Sequence, residues 1–118
     1  MTIALVVATV GRAMLAGLFI LAGVAKLLGP APFLAHMGQF SVPRLALPAV
    51  IALEIGVGAA LLMGWHTPIT AGVLSAFCVA TAVVFHRQLG DRVERTQFFK
   101  DLALAGALAA LAAAGVRG

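Results

Sequence analysis

Four apolar runs separated by polar breaks organise the chain. The first goes from Ile3 to Leu28, interrupted only by Arg12 and Lys26, and stops at Gly29-Pro30-Ala31-Pro32. Proline there removes an amide donor and restricts the residue before it. The second run, Leu45 to Trp65, carries one charge, Glu54, near its middle. A tight Trp65-His66-Thr67-Pro68 break leads into the third run, Pro68 to Phe85, which has no charge at all. From His86 to Lys100 the chain turns polar, with Arg87, Asp91, Arg92, Glu94, Arg95 and Lys100. The alanine-rich stretch Leu102 to Val116 closes the series and takes in Phe98 and Phe99 to reach a full span over 98–116.

A membrane-crossing helix needs about 20 apolar residues, and these runs have that scale. Helix is the state they must adopt, because a lipid-facing backbone has to satisfy its own hydrogen bonds and four strands cannot close a barrel. The predicted fold is therefore all-α: an integral membrane four-helix bundle with short connectors. Two small-residue stripes, Ala52-Gly56-Ala60-Gly64 and Gly106-Ala110-Ala114, are either faces for close helix contact or chance products of a chain this rich in alanine and glycine.

Composition agrees with the pattern. Of the 118 residues, 63% are hydrophobic and 10% charged, and mean hydropathy is +1.11; an ordinary soluble chain is about a quarter charged. Four spans use about 80 residues, which leaves no room for a separate soluble domain and makes residues 1–118 a single membrane unit. The first run is read as a retained span and not a signal peptide, since no Lys or Arg precedes it and Arg12 breaks it. The single cysteine, Cys78, excludes an intramolecular disulfide or a thiol redox pair; mid-way along an uncharged helix it reads as a small apolar filler.

The excess of 8 Lys+Arg over 4 Asp+Glu belongs to membrane-flanking loops, not to a nucleic-acid patch. The first and third connectors hold Lys26, Arg44, Arg87, Arg92, Arg95 and Lys100, and the opposite side holds only Arg117 with His66. The positive-inside rule then puts these connectors in the cytoplasm and both termini outside. The expected location is the inner (cytoplasmic) membrane, multi-pass.

Two charges lie within the spans. Glu54 falls near mid-bilayer, where an ionised side chain costs about 2.5–3.5 kcal/mol and is kept only when paired or used. Arg12, about 13 Å into the first span, is the expected partner. Two readings stand: a buried pair that sets helix register, or a protonatable, ligand-binding carboxylate. Lys26 is expected to snorkel from the helix end to the headgroups. No metal or haem site is expected. His66 and His86 bracket the third span, and no sequence pattern brings His36 to His86. Phe33, Met37 and Phe40 have helical spacing in the first connector, suggesting an interfacial segment beside which a quinone could enter. Asp91 and Arg95, four apart, suit a short solvated helix continuing the third span or leading into the fourth, a candidate docking surface.

These residues also form an ordered series. Arg12 with Gly17-Leu18-Phe19 and Gly23-Val24-Ala25-Lys26-Leu27 resembles the opening of the DoxX-like membrane proteins. Pro48 to Gly64, with Glu54-Ile55-Gly56-Val57-Gly58 and Leu61-Leu62-Met63-Gly64, is similar to that family's second helix, although Val57 breaks the glycine pair. His86 and Phe99-Lys100-Asp101-Leu102-Ala103-Leu104 match its later segment. The resemblance implies a four-helix bundle and a place among membrane subunits linked to quinol oxidation, sulfur oxidation or oxidative-stress complexes. It marks Arg12, Lys26, Glu54 and Lys100 as the matching positions, with no catalytic role attached.

The expected function is a non-catalytic accessory subunit of a larger membrane redox or respiratory complex, packed on lipids and other membrane subunits. It has no cofactor of its own and flanks a quinone or lipid site. The alternative is a small proton-coupled multidrug-type transporter working as a dimer through Glu54. Arg12 would repel a cationic substrate there, and tyrosine is absent. A stand-alone lipid or quinol enzyme has little to work with, since no nucleophile–base set is visible.

Overall fold

The computed structural model describes residues 2–85 and 90–117, without the side chains of 115–117. His86 and Arg87, assigned above to the polar connector, a family motif and the cytoplasmic charge count, lie outside the described residues.

The described residues form five helices: α1 (Ile3–Leu28), α2 (Ala31–Gln39), α3 (Ala46–Leu62), α4 (Thr67–Phe85) and α5 (Arg92–Arg117). The four apolar runs are all helical, and the connector expected at the interface adds the fifth. Three helices, α1, α4 and α5, are long and apolar enough to cross a membrane, while α3 is an apolar helix of 17 residues. The protein is an all-helical, multi-pass membrane protein.

Local chemistry sets the boundaries. Thr2 caps α1, its hydroxyl oxygen accepting from the Leu5 amide at 3.1 Å. Asp91 does the same for α5, its carboxylate accepting from the amides of Val93 (2.8 Å) and Glu94 (3.2 Å). Such caps satisfy helix donors that otherwise lack partners. Arg92 to Lys100 of the charged connector are thus the first part of α5, one continuous 26-residue helix, so the helix expected at Asp91 and Arg95 leads into the fourth span. Asp91→Ala is expected to lower stability by about 1 kcal/mol, read from unfolding of the detergent-solubilised protein in increasing sodium dodecyl sulfate.

The second apolar run ends earlier than its hydropathy suggested. The Trp65 amide bonds to the Ala60 carbonyl at 2.9 Å and the Gly64 amide to the Leu61 carbonyl at 3.0 Å. With Gly64 at φ +76°, this is the left-handed helix stop that glycine accommodates without strain.

Packing proceeds in a chain: α1 against α3, α3 against α4, α4 against α5. The α4–α5 pair is bolted by the Ser75 hydroxyl donating to the Ala105 carbonyl at 2.8 Å. The core comprises Ala16 and Phe19 from α1, Leu61 from α3, Ala71, Leu74 and Cys78 from α4, and Ala105 and Leu108 from α5. Phe19 meets Phe77 edge-on at 6.5 Å between centroids. The circle does not close, because α1 and α5 scarcely touch. At its start α1 also runs clear of the other helices, with every residue from Thr2 to Val10 exposed.

The small-residue stripes do not make these contacts. Ala52, Gly56 and Gly64 are exposed, and so are Gly106, Ala110 and Ala114. In α3 the packed face is instead Leu47, Glu54, Gly58 and Leu61. In a helix this rich in alanine and glycine, four-residue spacing appears on several faces. The large residues Leu47 and Leu61 decide which face turns inward, because they bury the most apolar area.

Candidate functional site

The α1–α3 pairing is antiparallel and close, and its register determines what Glu54 meets. Glycines let the backbones approach: a Cβ on Gly23 would lie 2.6 Å from Ile55 Cγ1 and 3.2 Å from Glu54 Cβ, and one on Gly58 would lie 3.1 Å from Ile20 Cγ1. With Gly23 level with Glu54 and Ile55, Lys26 stands three residues away along α1, about 4.5 Å in axial rise. Arg12 stands eleven residues away in the other direction, about 16 Å.

The ion pair is therefore Lys26–Glu54, with Nζ to Oε1 at 2.7 Å and side chains 19% and 4% exposed. This corrects the expected Arg12–Glu54 pair. It also corrects the reading of Lys26, which turns into the bundle and not out to the headgroups. Its ammonium lies 5.1 Å from the centre of the Phe33 ring in α2, a cation–π contact that further holds the charge inside. Arg12 sits at the far end of the bundle, its guanidinium about the Cβ position of Gly64, with Cζ and both terminal nitrogens at 3.4 Å. It lies beside the carboxyl end of α3, the negative pole of that helix.

The Lys26–Glu54 pair faces a chamber of about 720 Å³ bounded by all five helices, within the size range of small-molecule sites. Lys100 and Asp101 of α5 also line it, with Thr81 and Gln97. Three of the four positions singled out in the sequence, Lys26, Glu54 and Lys100, thus share one chamber, and Arg12 does not. The Thr81 hydroxyl donates to the Cys78 carbonyl at 3.0 Å and approaches Asp101 Oδ2 at 3.4 Å. Most of the remaining wall is apolar, supplied by residues such as Leu18, Phe19, Val50, Phe77 and Leu104.

Helix α2 forms the chamber's cover. Met37 is buried, and Phe33, His36 and Met37 all line the cavity, so the segment expected to rest on the bilayer surface turns part of itself inward. His36 stacks on Phe85 at 5.3 Å and meets Phe40 edge-on at 5.2 Å, with Phe40 to Phe85 at 5.4 Å. That aromatic cluster ties α2 to the end of α4. Asp101, His36 and the α2 cover were missed in the sequence as parts of one site. The helical spacing of Phe33, Met37 and Phe40 was the signal for α2, and Asp101 stood out only as part of the Phe99–Leu104 segment.

Chemically, the chamber offers an ammonium donor and a carboxylate acceptor beside an apolar volume. That arrangement can orient the polar end of an amphipathic molecule. Cys78 lies buried in its wall. Among the described residues, no group of three or more His, Cys, Asp and Glu side chains converges as metal ligands would.

The DoxX family model matches residues 7–87, a segment that contains Arg12, Lys26 and Glu54. The chain is 38% identical over 106 residues to the inner membrane protein YqjF of Escherichia coli (strain K12), covering 90% of this chain and 82% of that protein. No solved structure matches it. The helices, the intramembrane charges and these similarities agree, and the chain belongs to the DoxX family.

Proposed function

We propose that the protein is a non-catalytic accessory subunit of a membrane redox complex, holding a quinone or a lipid in its central chamber. The observation that carries this reading is the Lys26–Glu54 pair set in the wall of a largely apolar chamber of about 720 Å³. A polar head would bond to the pair while its tail stays among the apolar side chains. Extensive exposed apolar surface, including Leu21 and Met14 at 71%, suits packing on lipids and on other membrane subunits. Cofactors for electron transfer would reside in those subunits.

The topology we infer has four spans, with α3 as a short crossing and α2 lying at the interface. The chamber end, with Lys26, Arg44, Arg92, Arg95 and Lys100, would face the cytoplasm by the positive-inside rule, leaving both termini outside. The membrane is the inner one, as in the E. coli relative's description. A transporter using Glu54 to carry protons would first have to separate it from Lys26, which favours the binding role.

The test is purification from native membranes in mild detergent, with mass spectrometry of co-migrating proteins, absorbance spectra and organic extraction of the bound small molecules. Cofactor-bearing partners and about one quinone or lipid per chain are expected. Ala22→Phe, which fills the chamber wall, is expected to remove the small molecule and leave the helices folded. A protein recovered alone, with an empty chamber and proton-coupled substrate flux in vesicles, would replace this reading with transport.

A further inference from the structure

A second cavity of about 650 Å³ opens along the α1–α5 seam, on the Arg12 side of the bundle. It meets the central chamber at Leu18 and Leu104, which line both. Its walls are apolar, with Leu15 and Leu111 among small residues such as Ala8, Gly11, Ala107 and Ala110, and among the described residues Arg12 is the one charged side chain there. Arg12 Nε is buried and has no hydrogen-bond partner among the described residues. A buried donor left in that state is destabilising.

The protein itself closes off that nitrogen, so a ligand would meet the rest of the guanidinium, and charge distribution says which ligand. All four acidic residues, Glu54, Asp91, Glu94 and Asp101, are at mid-span or towards the chamber end, and none occurs between Ile55 and Gly90 or before Glu54. The Arg12 end is therefore a cation in an apolar groove with no acidic side chain beside it among the described residues. Trp65, next to Gly64 and 62% exposed, marks this level as a membrane–water boundary, where tryptophan concentrates. From Arg12 the groove runs inward along α1 and α5 towards Leu18 and Leu104, the direction in which an acyl chain points from its headgroup.

We propose that the α1–α5 groove binds one anionic phospholipid, its phosphate on the Arg12 guanidinium and an acyl chain laid along the seam that the helices leave open. Guanidinium and phosphate form paired, charge-assisted hydrogen bonds. The lipid also covers apolar surface that α1 and α5 do not bury against each other.

The experiment is native mass spectrometry of the delipidated full chain, titrated with phosphatidylglycerol, phosphatidylcholine or inorganic phosphate alone. The expected result is one phosphatidylglycerol per chain, preferred over phosphatidylcholine by about fivefold or more, the value of one basic side chain near a membrane surface. Arg12→Gln should abolish the preference and Arg12→Lys should keep it. Ala107→Phe, which leaves Arg12 intact and obstructs the groove, should weaken both lipids and decides the matter should Arg12→Gln not fold. Equal binding of the two lipids, or an unchanged preference in Arg12→Gln, overturns the proposal. So does inorganic phosphate competing as well as the lipid. A lipid-free dimer that Ala107→Phe disrupts would give the groove to a second copy of the chain, and also overturns it.

Discussion

Glu54→Leu is expected to destabilise the protein by about 3–5 kcal/mol, because it leaves the Lys26 ammonium inside the bundle without its counter-charge. The partner experiment is the informative one. Lys26→Met combined with Glu54→Leu removes both charges and is expected to recover most of the loss, since an apolar pair of similar volume avoids the desolvation that the ion pair must overcome. Arg12→Met in the Glu54→Leu background should recover nothing. Unfolding midpoints of the three variants in mixed micelles separate the outcomes. Recovery by Arg12→Met and not by Lys26→Met would overturn the register. On the function proposed above, the same double variant should retain fold yet lose a quinone or lipid from the chamber, which would separate the pair's contribution to stability from one to binding.

The second large effect is at Gly23. Any side chain there meets Ile55 Cγ1 at 2.6 Å from the Cβ alone, inside van der Waals contact, and α1 must move off α3. Gly23→Leu is expected to cost about 3 kcal/mol or more, the upper range for overpacked interiors. Because the displacement also pulls Lys26 from Glu54, its cost and that of Glu54→Leu should fall short of additive when combined, as residues sharing a contact do. Gly23→Ala with Ile55→Ala, which removes the obstructing Cγ1, should restore part of the loss. Full additivity of Gly23→Leu and Glu54→Leu would mean the two sites are uncoupled.

The membrane character, the four apolar helices and a charge-paired Glu54 within the bundle were legible from run lengths and from the position of a single charge. Its partner was not. Measured from the span ends, Glu54 is eight residues from Ala46, Lys26 two from Leu28 and Arg12 sixteen from it. If the ends were level, Lys26 and Arg12 would therefore lie six and eight residues from Glu54 in opposite directions. A three-residue slide of α1 along α3 decides between them, and that slide follows from Gly23 and Gly58 meeting Ile55 and Ile20. Hydropathy does not carry such shape information. The chamber was hidden for a related reason. Its wall draws on α1, α2, α3, α4 and α5 at once, and only the packing order shows that α1 and α5 stay apart. The small-residue stripes make the same point in reverse: their spacing was visible, but their orientation depended on the larger neighbours.

Helix α1 has 26 residues and α3 has 17, so along their axes they measure about 39 and 26 Å. The two run side by side only from the level of Arg12, which faces Gly64, to Leu28. That stretch is 17 residues of α1, the same length as α3. The nine residues of α1 before Arg12 therefore carry it about 13 Å past its partner, with every residue from Thr2 to Val10 exposed. This end of the bundle is a single apolar helix whose whole circumference is left for lipid or another chain to cover.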